Sequence, residues 1–79
     1  MKEEIIANID LLHTTDLGIE RIKRNLNLNN DNVVKYLIEK IKCNNSVVYR
    51  KGKNYYCEIE DIIITINSYN YCIITAHIK

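Results

Sequence analysis

The chain has 79 residues and a formal net charge of +1, from 11 Lys and Arg against 10 Asp and Glu. So short a chain forms one domain, here residues 1–79, and it buries so little surface that a homodimer is a reasonable expectation. The near-neutral charge excludes binding to nucleic acid or to an anionic membrane through overall charge, although local basic clusters remain.

Membrane segments, leader peptides and metal sites are not predicted. No apolar run approaches the roughly 18–20 residues of a membrane span, and the N-terminus lacks the apolar middle of a signal peptide. We therefore expect a cytoplasmic protein with no membrane partner. Three cysteines, Cys43, Cys57 and Cys72, suit a reducing compartment, and no Cys or His spacing indicates zinc. Neither a metal nor a cofactor is expected.

Helical periodicity runs through the first half of the chain. Apolar residues recur every three or four positions over about residues 2–12, 16–26 and 31–42, and each segment is predicted to form a helix. Polar residues interrupt the pattern between these segments and supply helix N-caps. The N-cap candidates are Thr15 or Asp16 for the second helix and Asp31 for the third. The predicted inward-facing residues are Ile5, Ile6, Ile9, Leu12, Leu17, Ile22, Leu26, Val33, Val34, Leu37, Ile38 and Ile41.

The second half of the chain alternates with period two on a background of β-branched residues. This pattern predicts four antiparallel strands, over about residues 46–50, 55–59, 62–67 and 71–77, joined in a meander by short turns. A three-residue loop at 68–70 would set the register of the final pair. The expected pairs are Asn67 with Tyr71, Thr65 with Ile73 and Ile63 with Thr75.

Alternation sorts the strand residues onto two faces of the predicted sheet. The first face is apolar and holds Tyr55, Cys57, Ile59, Ile62, Ile64, Ile66, Cys72, Ile74, Ala76 and Ile78. The second face holds Tyr56, Glu58, Ile63, Thr65, Asn67, Tyr71, Ile73, Thr75 and His77. Because the helices need an apolar surface, we predict that they pack on the first face and leave the second open. The expected fold class is α+β, with three short N-terminal helices on one face of a four-stranded antiparallel sheet.

The second face carries the residue types that metal-independent RNA cleavage requires. Such cleavage needs a base for the ribose 2′-OH, an acid for the 5′-oxygen and a cation for the phosphorane. Glu58 and His77 are the candidate acid–base pair, and Thr75 is a candidate positioning donor. The candidate substrate-binding residues are Arg50, Lys51 and Lys53 for phosphate, Tyr49, Tyr56, Tyr69 and Tyr71 for stacking on bases, and Thr65 and Asn67. The alternative is an ordinary solvent-facing sheet surface, where Thr, Asn, Glu, His and Tyr are common.

Two basic segments are further candidates. The first is an anion site at the predicted start of the second helix, made of His13, Thr14, Thr15 and Arg21. Hydroxyls and free N–H groups at a helix start can bind phosphate, and an ordinary N-cap with surface arginines is the alternative. The second is the hairpin tip at 50–54, where three cations surround one glycine. This tip can grip a phosphate backbone or can simply be a solvated turn.

Two stretches of the chain resemble a known family. One is LHTTDLGIERIKRNL at residues 12–26; the other is RKGKNYY at 50–56, continued by ITIN at 64–67 and YCIITAH at 71–77. Together they are similar to short bacterial proteins catalogued as domain of unknown function 3781, and the resemblance covers nearly the whole chain.

A looser similarity extends to the barnase/EndoU/colicin/RelE-like ribonucleases, in which helices precede a four-stranded antiparallel sheet with the site on its open face. This resemblance implies catalytic residues on successive strands, where Glu58 and His77 would stand. In the predicted register Asp61 lies opposite His77 and would hold the imidazole. The sequence places no cation on the middle strand. The expected function is RNA engagement, with metal-independent ribonuclease activity as its fuller form. The alternative is a non-enzymatic module that binds a protein partner or itself, which the near-neutral charge and the apolar Ile63 and Ile73 favour.

Overall fold

A computed structural model describes residues 1–30 and 32–79, and within them the chain forms three α-helices followed by four β-strands. The helices are α1 (Lys2–Ala7), α2 (Asp16–Leu26) and α3 (Val33–Lys42), with a 3₁₀ turn at Ile9–Leu11. The strands are β1 (Val47–Lys51), β2 (Asn54–Ile59), β3 (Ile62–Asn67) and β4 (Ile73–Ile78), paired antiparallel in the order β1-β2-β3-β4. The predicted α+β fold class is confirmed.

Capping residues set where the helices begin and end. Asn8 leaves helical geometry and its Nδ2 donates to a carbonyl of α1, so a 3₁₀ turn replaces the second part of the predicted first helix. α2 follows Thr15, whose Oγ1 accepts a backbone N–H of the first turn at 3.0 Å. The predicted N-cap Asp31 lies outside the described residues. α3 follows Asn32, whose Oδ1 accepts a backbone N–H of the first turn at 3.1 Å.

The core lies between the helices and the predicted apolar face of the sheet. Its buried apolar side chains are Ile5, Leu12, Ile22, Val33, Leu37 and Ile41 from the helical half and Tyr55, Cys57, Ile59, Ile62, Ile64, Ile66, Ile73 and Ala76 from the sheet. Cys57 is fully buried, and this burial raises the pKa of its thiol to about 11. Leu17, predicted to face inward, is 71% exposed, because α2 turns Gly18 and Ile22 towards the core instead.

The outer edge of β4 is covered by the segment before α2 and by α2 itself. Ile73 N donates to His13 O at 2.7 Å, which ties this segment to the strand. Thr14 Oγ1 donates to the Ile73 carbonyl at 2.8 Å, and Asn25 Nδ2 donates to Ala76 O at 3.2 Å. These bonds satisfy strand-edge groups that would otherwise be open to another chain.

The pairing of β3 with β4 differs from the predicted register. The observed pairs are Ile62 with Ile78, Ile63 with His77, Ile64 with Ala76, Thr65 with Thr75 and Ile66 with Ile73. The predicted pairs Thr65 with Ile73 and Ile63 with Thr75 are therefore wrong, whereas the predicted neighbours Asn67 and Tyr71 are joined by a bond from Tyr71 N to Asn67 O at 2.9 Å. The difference arises in the loop after β3, where Asn67 Oδ1 accepts two backbone N–H groups and Tyr71 takes a left-handed φ of 60°. The turn at 68–70 is closed by the Tyr71–Asn67 bond as expected, but Asn67 N donates to Cys72 O at 2.9 Å, so Tyr71 is an extra residue beside the turn and shifts the rest of the pairing.

A β-bulge in β4 exchanges the faces of two isoleucines. The register shifts between Thr65 and Ile66, so β4 has one extra residue, Ile74, at this point. Ile73 is 1% exposed in the core and Ile74 is 37% exposed, the reverse of the prediction from alternation. Tyr71 precedes the bulge and packs against the core on the helical side. Its predicted position on the second face, like that of Ile73, is therefore wrong.

Candidate functional site

The face of the sheet that points away from the helices, called the open face, carries the predicted site. Its residues follow from alternation and the observed pairing: Val47, Tyr49 and Lys51 on β1; Asn54, Tyr56 and Glu58 on β2; Ile63, Thr65 and Asn67 on β3; and Thr75 and His77 on β4. The sheet thus brings the predicted carboxylate and the predicted imidazole, Glu58 and His77, to one surface.

Glu58 is bound by a neighbour on each side of its strand. Its Oε1 lies 2.8 Å from Lys79 Nζ, and its Oε2 accepts from the Tyr49 hydroxyl at 2.9 Å. The Lys79 bond, followed by the Tyr49 bond, lowers the pKa of Glu58, because both stabilise the carboxylate. The same contact raises the pKa of Tyr49, since the phenol donates to an anion. Glu58 is therefore ionised at neutral pH, as a general base must be.

Ile63 separates the two predicted acid–base residues. Glu58 pairs with Ile63 from β2, and His77 pairs with it from β4. Two strand spacings put the Cα atoms of Glu58 and His77 roughly 9–10 Å apart. The exposed His77 imidazole forms no hydrogen bond with any residue that the structure describes. Asp61 does not lie opposite His77 as predicted; its carbonyl accepts from the Lys79 N–H at 2.7 Å.

Lys79 is the candidate that sequence reasoning missed. No cation was expected on the middle strand, but Lys79 Nζ reaches Glu58 from the position just after β4. Lys79 lies two residues after His77, so alternation continued past the predicted strand end would have put it on the same face. A cation therefore does lie beside Glu58, and it comes from the residue after β4 rather than from the middle strand.

The tyrosines predicted to stack on bases divide between the two faces. On the open face, the rings of Tyr49 and Tyr56 stack with 5.6 Å between centroids and 20° between planes. On the helical side, the ring centroid of Tyr71 lies 6.4 Å from that of Tyr55. The structure therefore brings Tyr56, but not Tyr71, to the candidate site.

The polar residues in the middle of the open face are buried or bonded within the protein. Thr65 is 7% exposed and is flanked by Tyr56 and Thr75 on the neighbouring strands. Thr75 Oγ1 accepts from Asn25 Nδ2 at 3.3 Å, and Asn67 Oδ1 closes the loop after β3. Because Thr75 is the acceptor in its bond, its own hydroxyl proton can still be donated to a bound molecule.

The cationic hairpin tip also divides between the faces. Arg50 lies opposite Tyr55, so its side chain is on the helical side, where the guanidinium lies 5.8 Å from the Tyr69 ring centroid. Lys51 and Lys53 are exposed, and Lys51 belongs to the open face. Two lysines of the predicted cluster, but not Arg50, therefore border the candidate site.

The hydroxyls of the predicted anion site have structural partners. Thr14 donates to a β4 carbonyl, and Thr15 Oγ1 accepts from the Gly18 N–H. A Cβ on Gly18 would overlap Thr14 Oγ1, so this close approach requires glycine. His13 bonds to β4 through its backbone, and Arg21 is exposed on α2. The threonines and the glycine of this run hold α2 against the sheet.

No group of three or more His, Cys, Asp or Glu side chains within residues 1–30 and 32–79 is arranged to hold a metal ion. Over the same part of the chain, no helix combines the length and the apolar character needed to cross a bilayer. The candidate site is the set of side chains that meet on the open face: Tyr49, Tyr56, Glu58, His77 and Lys79.

Helices on one face of an antiparallel sheet, with polar side chains gathered on the other, define a two-layer α+β domain. The chain belongs to the family described as protein of unknown function (DUF3781), whose model matches residues 6–77. This match includes both the run at 12–26 and the segment at 71–77, so the predicted family resemblance is confirmed. Neither the curated proteins nor the solved structures gave a match.

Proposed function

We propose that the protein binds single-stranded RNA on the open face of its sheet and cleaves it without a metal ion. One observation supports this function: Glu58, Lys79 and the Tyr49 hydroxyl are in direct contact on the face that also carries His77. A carboxylate, a cation and an imidazole are the groups that act in metal-independent RNA cleavage. Binding and cleavage can be measured separately.

Base stacking and phosphate contacts would hold the RNA. The stacked rings of Tyr49 and Tyr56 offer an aromatic surface on which an unpaired base can stack. Lys51 and Lys53 are exposed at the hairpin tip beside this surface and can contact phosphates. With two or three lysines involved, log affinity should fall with log salt concentration with a slope of about −1.4 to −2.1.

Glu58 and His77 would act on opposite sides of one phosphate. Glu58 takes the proton of the ribose 2′-OH, and protonated His77 gives a proton to the leaving 5′-oxygen. Attack and departure occur in line across the phosphorus, so residues on either side of Ile63 suit a phosphate that lies above it. Lys79 stabilises the charge that develops on the phosphorane.

Lys79 would link RNA binding to the basicity of Glu58. In the free protein, the Lys79 bond is the main cause of the lowered pKa of Glu58, and a lowered pKa makes a carboxylate a weak base. A bound phosphate that draws Lys79 away raises the pKa of Glu58 towards its ordinary value. Glu58 is then a stronger base when RNA is present than when it is absent.

Cleavage is tested with a short fluorescent single-stranded RNA in buffer that contains a chelator. The wild-type protein is expected to cleave it, and Glu58→Gln and His77→Ala are each expected to lower the rate about 10²–10⁴-fold while circular dichroism stays unchanged. Glu39→Gln is the matched control, because Glu39 is an exposed carboxylate on α3, in the helical layer. An inactive wild-type protein, or an equal loss in the Glu39 variant, would contradict the catalytic function.

Binding is tested by fluorescence anisotropy of the same RNA over a series of salt concentrations. Tyr56→Ala is expected to weaken binding about tenfold or more, since stacking on one base contributes roughly 1–3 kcal/mol. Wild-type protein that binds RNA but does not cleave it retains the binding function alone. Wild-type protein that shows no salt-dependent binding has neither function.

A protein partner is the second candidate, and the apolar residues on the same face favour it. Val47 is 61% exposed, and Ile63 is half-buried between Glu58 and His77. A net charge of +1 also provides little long-range attraction to RNA. If RNA fails to bind even at low salt, a protein partner at this face becomes the favoured function.

A further inference from the structure

β1 forms an edge of the sheet that is open to another strand. β4, at the opposite edge, is covered by residues 13–15 and α2. Apart from the pairing with β2, none of the residues in 1–30 and 32–79 makes a backbone hydrogen bond to β1. An exposed strand edge of this kind is a template for pairing with a further strand.

The bond from Ser68 N to Lys53 O, at 2.9 Å, fixes which groups of β1 face outward. Bonding directions alternate along an antiparallel strand, so the odd-numbered residues of β2 bond to β3 and the even-numbered ones bond to β1. Tyr49 lies opposite Tyr56, an even-numbered residue, so its backbone groups bond to β2. Val48 and Arg50 lie opposite odd-numbered residues, so their N–H and C=O groups point away from β2, towards the free edge. The free edge therefore offers two donors and two acceptors.

We propose that the β1 edge binds a second copy of this chain, with the two β1 strands antiparallel and Tyr49 on the two-fold axis. In this register, Val48 of one protomer lies opposite the partner subunit's Arg50, and the arrangement repeats across the axis. Each opposed pair exchanges two backbone hydrogen bonds, so every outward donor and acceptor is satisfied.

Neighbouring registers are less favourable. A pairing centred on Val48 would set Arg50 opposite Ser46, whose N–H and C=O already have partners within the chain. A pairing centred on Arg50 would set two guanidinium groups directly opposite each other, which is destabilising. The centre at Tyr49 avoids both problems.

The side chains suit the same register. On the open face, Tyr49 lies opposite its own copy, which extends the Tyr49–Tyr56 stack into a row of four rings. Val47, 61% exposed in one chain, lies opposite the partner subunit's Lys51, whose aliphatic stem can cover it. Each cation of the edge faces a valine, and a net charge of +1 per chain adds little repulsion.

One pair of short strands gives weak but closed association. Stable interfaces bury about 1,200–2,000 Å², more than one strand pair provides, so dissociation constants in the micromolar-to-millimolar range are expected. The resulting sheet ends at a covered β4 edge on both sides, so pairing stops at two copies.

Amide hydrogen exchange tests the dimer and its register, and it does so independently of RNA binding. Between about 10 µM and 1 mM protein, exchange at Val48 and Arg50 should slow about two- to ninefold, because micromolar-to-millimolar dissociation constants lower the monomer fraction by that factor over this range. Tyr49 and Lys51, bonded to β2 at every concentration, are internal controls whose exchange should not respond. Unchanged exchange at Val48 and Arg50, or a monomer by sedimentation equilibrium throughout this range, would overturn the proposal.

Charge substitutions provide a second test by sedimentation equilibrium. Val47→Lys sets a lysine opposite the partner subunit's Lys51 and should weaken dimerisation several-fold, while Glu58, its cross-strand neighbour, favours the folded monomer. Adding Lys51→Glu to the same chain restores opposite charges and should restore dimerisation. The proposal would also be overturned if Val47→Lys dimerised as strongly as the wild type, or if the double variant dimerised no more strongly than Val47→Lys alone.

Discussion

Glu58 and His77 flank the same residue of the sheet: each is paired with Ile63, one from β2 and the other from β4. They share a face, but one side chain stands between them, and Lys79 bonds to Glu58 from the His77 side. A ligand must therefore lie above Ile63 to contact both residues. An extended chain that crosses β3, as RNA would, meets both.

The Glu58 carboxylate is expected to stabilise the protein in a pH-dependent way. Its pKa is lowered in the folded state, so its contribution is present above the ordinary carboxyl pKa and is lost as the pH falls through the folded-state value. The difference in free energy of unfolding between wild type and Glu58→Gln should therefore be largest near neutral pH and should shrink below about pH 4. Urea unfolding across this range measures the difference.

Two further variants identify the source of that pH dependence. Lys79→Met should reduce the pH-dependent part of the stability more than Tyr49→Phe, because the Lys79 bond is the larger cause of the lowered pKa. A stability difference between wild type and Glu58→Gln that stays constant with pH would contradict the observed contacts of Glu58.

The two isoleucines at the bulge should differ sharply when truncated. Ile73→Ala removes a side chain that is 1% exposed and should lower the free energy of unfolding by about 2–4 kcal/mol. Ile74→Ala removes one that is 37% exposed and should cost less than about 1 kcal/mol. Urea denaturation of both variants compares them. The opposite ranking would support strict alternation along β4 in place of the bulge.

The contrast at the bulge shows how far the fold could be predicted. From Tyr55 to Ile66 every strand residue lies on the face that alternation predicts. The reason is that the two-residue turn between β2 and β3 preserves the alternating pattern. After Asn67, Tyr71 is an extra residue beside the turn and Ile74 is an extra residue in β4, and the second of these reverses the faces around it. A run of consecutive β-branched residues gives no signal for where such an insertion falls.

Gly18 should be replaceable only when Thr14 is also changed. Gly18→Ala gains about 1 kcal/mol of helix propensity but places a Cβ against Thr14 Oγ1, so a net loss of stability is expected. In a Thr14→Ala background the severe overlap is relieved and a tight contact of 3.2 Å with Thr15 Oγ1 remains, so the same Gly18→Ala change should cost much less. Urea unfolding of the wild type, the two single variants and the double variant measures the coupling free energy between Gly18 and Thr14. Additive effects would show that the two residues do not share this contact.

The candidate site was predictable in part. Glu58 and His77 could be assigned to one face, because both lie on strands whose alternation holds at those positions. The contact between Lys79 and Glu58 could not be predicted, because it depends on where the last strand ends. The ends of strands are the part of a secondary structure that a sequence predicts least well. The capping role of Thr15 could be predicted, because its partner lies three residues along the chain. The partner of Thr14 could not, because long-range docking of α2 on β4 decides it.

Chemical-shift mapping with single-stranded RNA tests the central claim, that RNA binds the open face, most directly. Isotopically labelled protein is titrated with a short RNA at low salt and again at higher salt. We predict the largest shift changes at Tyr56, Glu58 and His77, smaller at high salt, with the core of α3 around Leu37 unaffected. No shift changes at low salt, or changes confined to the helices, would contradict it.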